Sequence, residues 1–310
     1  MIEVERDIVL FIGGAGRSGS TLIENVLANS SEMICVGELK MIWENGLAKN
    51  LLTPQGVPFL EDKFWKEVFN FGWGGSSNVD VSRVLYLQRC VDRTLLLPLN
   101  EVSLFCSSRR KALIKEYVGY LSILYNSIKN ISGKKIIVDS TKWPIYFWFI
   151  NRIPEIDVRC LHLVRDPRAV ALSWKQPKRR PETGDNSILM MEPSHAWIFL
   201  KWIEANMHMS GIRRITKEYA LLRYEDFVAD PKKTLAEAFC DMKFNPNIID
   251  KLIFENLKWG LSHSMQGNPV RFKTGVLNIS IDERWKSGLS AYEKIIIRIL
   301  AEPLMRLYGY

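Results

Sequence analysis

Apolar residues in this chain form short continuous runs, and each run is followed by a stretch with helical spacing. Residues 8–12 are all apolar, and Leu22, Ile23, Val26 and Leu27 fall on one face of the helix predicted next. The same strand-to-helix order returns three times, beginning with the strand patterns at residues 134–139, 158–164 and 220–224. Such runs are typical of strands buried on both faces, so the pattern predicts an α/β fold with a central parallel sheet flanked by helices.

A long segment between the first two units interrupts this alternation. Residues 81–131 are predominantly helical in pattern, and residues 59–75 are rich in aromatic residues and glycine. We expect a single domain over residues 1–310, in which residues 41–131 form a mostly helical insertion covering the carboxyl edge of the sheet. Residues 175–185 are polar and contain prolines, which predicts a surface loop.

The composition is that of a globular protein with an excess of positive charge. Of 310 residues, 47% are hydrophobic and 25% are charged, which excludes a disordered or fibrous chain. The formal net charge of +8 favours an anionic partner, such as a nucleic acid, a membrane surface or a phosphorylated cofactor. Because no basic stripe is interleaved with aromatic residues, we expect no nucleic-acid partner.

Several features favour a cytoplasmic protein without a membrane span. No apolar run approaches the roughly 18–20 residues needed to cross a bilayer, and residues 1–14 lack the basic start of a signal peptide. The four histidines have no metal-ligand spacing, so we expect no metal site. Nothing in the sequence specifies an oligomeric state. The cysteines are scattered, odd in number and without a CxxC pair, which favours a reducing compartment; they are Cys35, Cys90, Cys106, Cys160 and Cys240.

A glycine-rich segment follows the first predicted strand. From Gly14 to Thr21 it has the spacing G-x-x-x-x-G-S-T, in which glycines permit a tight turn and helix N-terminal amides converge on an anion. The lysine that a triphosphate-binding loop carries after its second glycine is replaced by Ser20, and a basic residue stands earlier, at Arg17. Asp139, at the end of another predicted strand, is a candidate Mg²⁺ ligand in a kinase-like site. These residues alone leave open a P-loop-type nucleotide kinase.

A second phosphate motif lies at residues 165–174, with the sequence RDPRAVALSW. Arg165 ends a predicted strand, Asp166 is a good N-cap and Pro167 suits the first turn of a helix. Ser173 lies about two turns into that helix. An arginine at a strand end and a serine on the adjoining helix can hold one phosphate from two sides.

Together the two motifs closely resemble the 3′-phosphoadenosine 5′-phosphosulfate (PAPS)-dependent sulfotransferase family. The resemblance extends to LLRYEDFVADPKKTL and SHSMQGNPVRF, and leaves about residues 45–130 outside any motif. It implies a P-loop-like fold of the bacterial type, PAPS as co-substrate, 3′-phosphoadenosine 5′-phosphate (PAP) as product, and no metal. It also implies a 5′-phosphosulfate site at Gly16, Arg17, Ser18, Gly19, Ser20 and Thr21.

The same resemblance assigns the rest of the nucleotide site. Arg165 and Ser173 would hold the 3′-phosphate, and Tyr224 would lie near the adenine. A loop that closes over the nucleotide would contain Gly267 and Asn268, with Arg271 as a second positive charge on the 3′-phosphate.

The reaction needs a base for the acceptor hydroxyl and positive charge on the leaving phosphate. Glu38 follows the first helix and matches the catalytic glutamate of tyrosylprotein-type and related sulfotransferases, so we expect it to be the base. Lys142, after a strand end, resembles the family lysine that stabilises the bridging oxygen, and Arg17 would share this work. His263 would assist as acid or base or orient the acceptor, and a purely structural role is the alternative.

The acceptor is expected to carry a hydroxyl group on a small-molecule, lipid-like, acyl or carbohydrate compound. Aromatic residues near the predicted opening would form an apolar pocket or stacking surfaces, although core packing explains at least half of them. The basic residues Lys178, Arg179 and Arg180 are interpreted as a solvated loop. Besides the kinase, a non-catalytic nucleotide-binding protein of the same fold is an alternative. The aromatic residues in question are Trp43, Trp65, Phe69, Phe71, Trp73, Trp143, Tyr146 and Trp148.

Overall fold

The computed structural model describes residues 6–92, 107–176, 178–185, 187–189 and 194–310. Within these ranges, five parallel strands form the central sheet in the order β2-β3-β1-β4-β5. The predicted α/β fold with a parallel sheet is confirmed. The strands are β1 (Asp7–Gly14), β2 (Met33–Gly37), β3 (Ile136–Lys142), β4 (Ile156–Val164) and β5 (Tyr219–Arg223).

Helices cover both faces of this sheet, and two short strands, β6 (Lys258–Trp259) and β7 (Gly275–Val276), form a separate antiparallel pair. In chain order the α-helices of the described residues are α1 (Ser20–Leu27), α2 (Lys63–Trp73), α3 (Val81–Val91), α4 (Ser108–Ser132), α5 (Pro144–Ile150), α6 (Pro167–Lys175), α7 (His195–Ile212), α8 (Tyr224–Ala229), α9 (Pro231–Asp241), α10 (Asn247–Asp250), α11 (Trp285–Gly288) and α12 (Ala291–Leu307). No helix among these is both long and apolar enough to cross a membrane.

Two apolar cores lie on opposite faces of the sheet. On one face, Val9 and Phe11 of β1 pack with Tyr117 and Leu121 of α4 and with α5. On the other face, strand residues pack with α1, α8 and α9. Burial of both faces explains why the strands read as continuous apolar runs instead of alternating ones.

The insertion packs on the first of these faces. A π-helix at Ile42–Ala48 and helices α2, α3 and α4 surround the fully buried side chains of Trp43 and Trp65. The helical pattern predicted for residues 81–131 corresponds to α3 and α4. Its part at residues 93–106, which includes Cys106, lies outside the described residues.

The strand ends bring separate parts of the chain to one edge of the sheet. Gly13 pairs with Lys142 on one side of β1, and Gly14 pairs with Leu163 on the other. The register between β1 and β3 shifts between Phe11 and Gly13, and Lys142 has a left-handed backbone with φ of 72°. Parallel strands that end together at a topological switch are where α/β folds bind ligands.

Candidate active site

A cavity of about 480 Å³ opens at the carboxyl edge of the sheet. Its walls come from the loop after β1, the ends of β3 and β4, helices α6 and α7, and the segment 262–272, which we name the closing segment. The cavity brings together twelve of the fifteen predicted site residues: Gly16, Arg17, Gly19, Ser20, Thr21, Glu38, Lys142, Arg165, Ser173, Tyr224, Gly267 and Asn268.

The floor of the cavity is the loop between β1 and α1 (residues 15–19), which we name the phosphate loop after the motif that it resembles. Gly19 caps α1 with a φ of 100°, and a Cβ at this position would overlap the ring of Tyr224. Only glycine therefore fits between the loop and that ring. Helix α1 starts at Ser20, and the first amides of a helix have no intrahelical acceptor, so the loop presents N–H groups to an anion.

Arg17 places a cation beside these amides. Its backbone is left-handed, with φ of 70°, and its guanidinium lies 4.7 Å from the ring centroid of Trp174. Burial lowers the pKa of Arg17, and the charge of Glu38 acts in the opposite direction.

Glu38 and Lys142 form an ion pair at one side of the cavity. Glu38 directly follows β2, whereas Lys142 is the last residue of β3, so neighbouring strand ends deliver the two charges. Their side chains are 13% and 14% exposed, which leaves each reachable from the cavity. A carboxylate that can accept a proton thus lies beside a cation that can stabilise an anionic leaving group.

A buried carboxyl group lies behind this pair. Glu24 of α1 accepts hydrogen bonds from the hydroxyl groups of Ser140 and Ser262. Burial raises the pKa of Glu24 to about 7, although both serines and the charge of Lys142 oppose this shift. The sequence analysis missed Glu24 because a glutamate on an amphipathic helix is ordinarily exposed.

The opposite side of the cavity holds a cluster of charged residues. Arg165, at the end of β4, donates through Nη2 to Asp282 at 2.9 Å and through Nη1 to the carbonyl oxygen of Arg17 at 3.2 Å. Its guanidinium also lies 4.3 Å from the ring centroid of Tyr224. Hydrogen bonding by Arg284 is the main cause that lowers the pKa of Asp282, and the charge of Arg165 adds to it.

The closing segment reaches the phosphate loop from above. The N–H group of Asn268 donates to Thr21 Oγ1 at 3.4 Å, and a Cβ on Gly267 would lie 3.7 Å from a carboxylate oxygen of Glu38. Asn45 of the insertion donates to Gln266 at 2.6 Å. The segment therefore joins the phosphate loop, the Glu38 side and the insertion.

Comparisons with known proteins find sulfotransferases. Human carbohydrate sulfotransferase 5 is 24% identical over 180 residues, which are 51% of this chain and 41% of the relative. Carbohydrate sulfotransferase 3 of Tetronarce californica is 25% identical over 171 residues, which are 50% of this chain and 36% of the relative. The match thus spans about two fifths of the length of these curated relatives. No protein-family profile matches the chain.

Two solved structures share the whole fold. The sulfotransferase domain of the Synechococcus PCC 7002 olefin synthase aligns with a TM-score of 0.50 and 18% identity, covering 98% of this chain and 96% of the domain. The sulfotransferase domain of the curacin biosynthetic pathway also has a TM-score of 0.50 and 18% identity, with 96% and 97% covered. The chain therefore shares its fold with two sulfotransferase domains and is similar in sequence to carbohydrate sulfotransferases over about half of its length. The predicted resemblance to sulfotransferases is confirmed, and the fold shared with their domains is the one described above.

Three predicted site residues, Ser18, His263 and Arg271, are absent from the cavity wall. The Ser18 hydroxyl and all three guanidinium nitrogens of Arg271 are buried without a hydrogen-bond partner among the described residues. Glu182 lies 3.8 Å from Arg271, whose pKa is lowered by burial. His263 stacks on Phe64 at a centroid distance of 4.1 Å, and burial lowers its pKa. Their predicted roles in catalysis and nucleotide binding stay predictions.

Two interpretations of side chains near the site are corrected. Lys178 is not solvated: it lines the cavity and donates to the hydroxyl of Ser173 at 3.2 Å. Asp139 is absent from the cavity wall, and its fully buried carboxylate accepts hydrogen bonds from Tyr125 and from the N–H of Thr141. The described residues contain no cluster of His, Cys, Asp or Glu that could hold a metal ion.

The predicted aromatic residues separate into those of the core, those of the cavity wall, and Phe71, which is exposed and absent from the cavity wall. Trp143 lines the cavity and is 45% exposed, and Trp174, Trp197 and Trp202 line it as well. By contrast, five of the predicted aromatic residues are fully or almost fully buried in the core and do not line the cavity: Trp43, Trp65, Phe69, Tyr146 and Trp148.

Proposed function

We propose that this protein transfers the sulfuryl group of PAPS to a hydroxyl group of an acceptor. The observation that carries the proposal is the position of the Glu38–Lys142 ion pair in the same cavity as Arg165 and Ser173, with the phosphate loop also in its wall. Such a cavity combines a proton acceptor with separate places for the two phosphate-bearing ends of the nucleotide.

The residues present fit that donor. The loop amides at Ser20 and Thr21 suit the 5′-phosphosulfate, and the buried Nε of Arg165 has no hydrogen-bond partner among the described residues. A buried guanidinium nitrogen without a partner is costly unless a ligand or water completes its hydrogen bonds. The 3′-phosphate supplies acceptors for it.

In the proposed reaction, Glu38 accepts the proton of the acceptor hydroxyl as that oxygen attacks sulfur. A new S–O bond forms, and the bond between sulfur and the bridging oxygen of the 5′-phosphate breaks. The electron pair of that bond stays on the phosphate, and the cations of Lys142 and Arg17 stabilise the developing charge. The loop and Arg165 hold the nucleotide so that attacking and leaving oxygens are in line.

Two alternatives receive less support from the site. A kinase would need a cation in place of Ser20 and a carboxylate for Mg²⁺, whereas Asp139 is buried and already hydrogen-bonded. A non-catalytic nucleotide-binding protein has no use for the ion pair of Glu38 and Lys142 beside the phosphate loop.

The acceptor class is proposed from the cavity wall. The half-exposed ring of Trp143 and the 42% exposed ring of Trp197 offer flat apolar faces, which suit a sugar or a phenol. The curated relatives are carbohydrate sulfotransferases by name, which places sugars first in the order of testing. We also infer a cytoplasmic location, in keeping with the free thiols of Cys35 and Cys160.

The test is a transfer assay with PAPS labelled in its sulfuryl group and a panel of sugars, phenols, alcohols and carrier-bound hydroxy acids. We expect wild type to label at least one acceptor and Glu38→Gln to lose about 10²–10⁴-fold in rate while it still binds PAP. Glu44→Gln, an exposed carboxylate paired with Lys49, is the matched control and should retain activity. Tight binding of ATP·Mg without binding of PAP would contradict the proposal.

A further inference from the structure

Lys178 occupies the anion-binding side of the cavity although it comes from a loop with no phosphate motif. Its ammonium donates to Ser173 Oγ at 3.2 Å, and its side chain is partly buried. Ser173 is itself a predicted ligand of the 3′-phosphate. A phosphate oxygen that reaches the Ser173 hydroxyl therefore also comes within reach of Lys178.

The charges around this position are unbalanced. Arg165, Lys178 and Arg284 lie around a single carboxylate, Asp282, which Arg165 and Arg284 both hold by hydrogen bonds. Burial, followed by the charges of Arg17, Arg165 and Arg284, lowers the pKa of Lys178 to about 8; Asp282 acts in the opposite direction. Like charges crowded in a partly buried site repel one another until an anion neutralises them.

The free hydrogen-bonding capacity points the same way. An ammonium has three donors, of which the Ser173 hydroxyl takes one. Arg165 has a side chain only 8% exposed, and its Nε finds no partner among the described residues. Hydrogen-bond donors thus come from Ser173 of α6, from Lys178 of the loop that follows it and from Arg165 at the end of β4.

We propose that Lys178 is a specificity-determining residue that recognises the 3′-phosphate of the nucleotide together with Arg165 and Ser173. The inference rests on the proposed function and adds to it the basis for rejecting nucleotides without a 3′-phosphate. When the nucleotide carries a 3′-hydroxyl, only the carboxylate of Asp282 balances the positive charges of Arg165, Lys178 and Arg284. A 3′-phosphate brings up to two negative charges and three acceptor oxygens to the same place.

Titration calorimetry with PAP and with adenosine 5′-monophosphate tests this role, because the two differ in the 3′-phosphate. We expect Lys178→Met to weaken PAP binding about 10- to 100-fold, as for loss of a hydrogen bond to a charged group. Binding of adenosine 5′-monophosphate should change by less than about twofold. Lys178→Arg should recover part of the PAP affinity, since it keeps the charge but not the geometry.

Arg179→Met is the matched control, because it removes the same charge from the adjacent, exposed residue of the loop. It should leave both affinities unchanged. Equal weakening of both nucleotides by Lys178→Met, or no weakening of PAP, would overturn the role of Lys178 while the proposed function stands. If wild type fails to bind PAP at all, the proposed function itself fails, and the two results are distinguishable in one experiment.

Discussion

Replacing Glu24 by glutamine tests how much stability is lost by burying a carboxyl group behind the Glu38–Lys142 pair. Glu24 is 2% exposed, and its carboxyl group accepts hydrogen bonds from Ser140 and Ser262. Glutamine keeps the length of the side chain and an acceptor oxygen, but it carries no charge at any pH. The substitution therefore removes the ionisation and retains at least part of the hydrogen bonding.

The magnitude follows from the pKa of this group. Burial raises the pKa of Glu24 from 4.5 to about 7. The folded protein therefore holds the proton more tightly than the unfolded chain, and stability is lost as the pH rises from 4.5 through 7. Since one pKa unit corresponds to about 1.4 kcal/mol, the loss amounts to about 3 kcal/mol. We compare the free energy of unfolding of Glu24→Gln with that of wild type at each pH. Between pH 4 and pH 8 this difference should shift in favour of Glu24→Gln by up to about 3 kcal/mol.

Urea unfolding of both proteins at pH values from 4 to 8 measures this difference, because other titrating groups cancel between them. Glu237→Gln, whose side chain is 68% exposed in wild type, is the control and should show no pH-dependent change. The reasoning is refuted if the free energy of unfolding of Glu24→Gln differs from wild type by the same amount at every pH.

Three further predictions concern the nucleotide site. PAP affinity should fall about tenfold per pH unit above the Lys178 pKa of about 8, because the Lys178 ammonium of the free protein loses the proton and charge that bind the phosphate. Calorimetry of Lys178→Met should show no such fall. Gly19 has a φ of 100°, and a Cβ there would overlap the Tyr224 ring, so Gly19→Ala should abolish PAP binding and lower the free energy of unfolding in urea by about 1–3 kcal/mol. Gly211→Ala is the control and should do neither, because a Cβ there meets nothing within 4 Å. Asp282→Asn should tighten PAP binding severalfold, since it removes the carboxylate that holds Arg165; weaker binding in the same titration would contradict this.

The local parts of the site were predictable from the sequence because neighbouring residues build them. The loop after β1 and the order Arg165, Asp166, Pro167 at the start of α6 depend on turn and capping preferences that act over a few residues. Glu38 was placed correctly at the cavity because a strand that follows an α/β helix returns to the same edge of the sheet.

The remaining parts depend on contacts between distant segments. Lys178 and Asp282 line the same cavity although one lies in the loop after α6 and the other in the segment before α11, and no spacing in the chain indicates this. Aromatic density near the opening did not separate Trp43, which is 0% exposed in the core, from Trp143, which is 45% exposed at the cavity. Composition gives the amount of apolar surface, whereas tertiary packing decides which part of it a ligand can reach.

The left-handed backbone of Lys142, with φ of 72°, has a consequence for the rate of the proposed reaction. A non-glycine residue in this conformation costs about 1–2 kcal/mol, which folding supplies once, through the pairing of β3 with its neighbours. The ammonium is then already at the strand end when a donor arrives, and little reorganisation energy is left for the chemical step. The irregular end of β3 therefore positions the Lys142 ammonium during folding, before the proposed transition state forms.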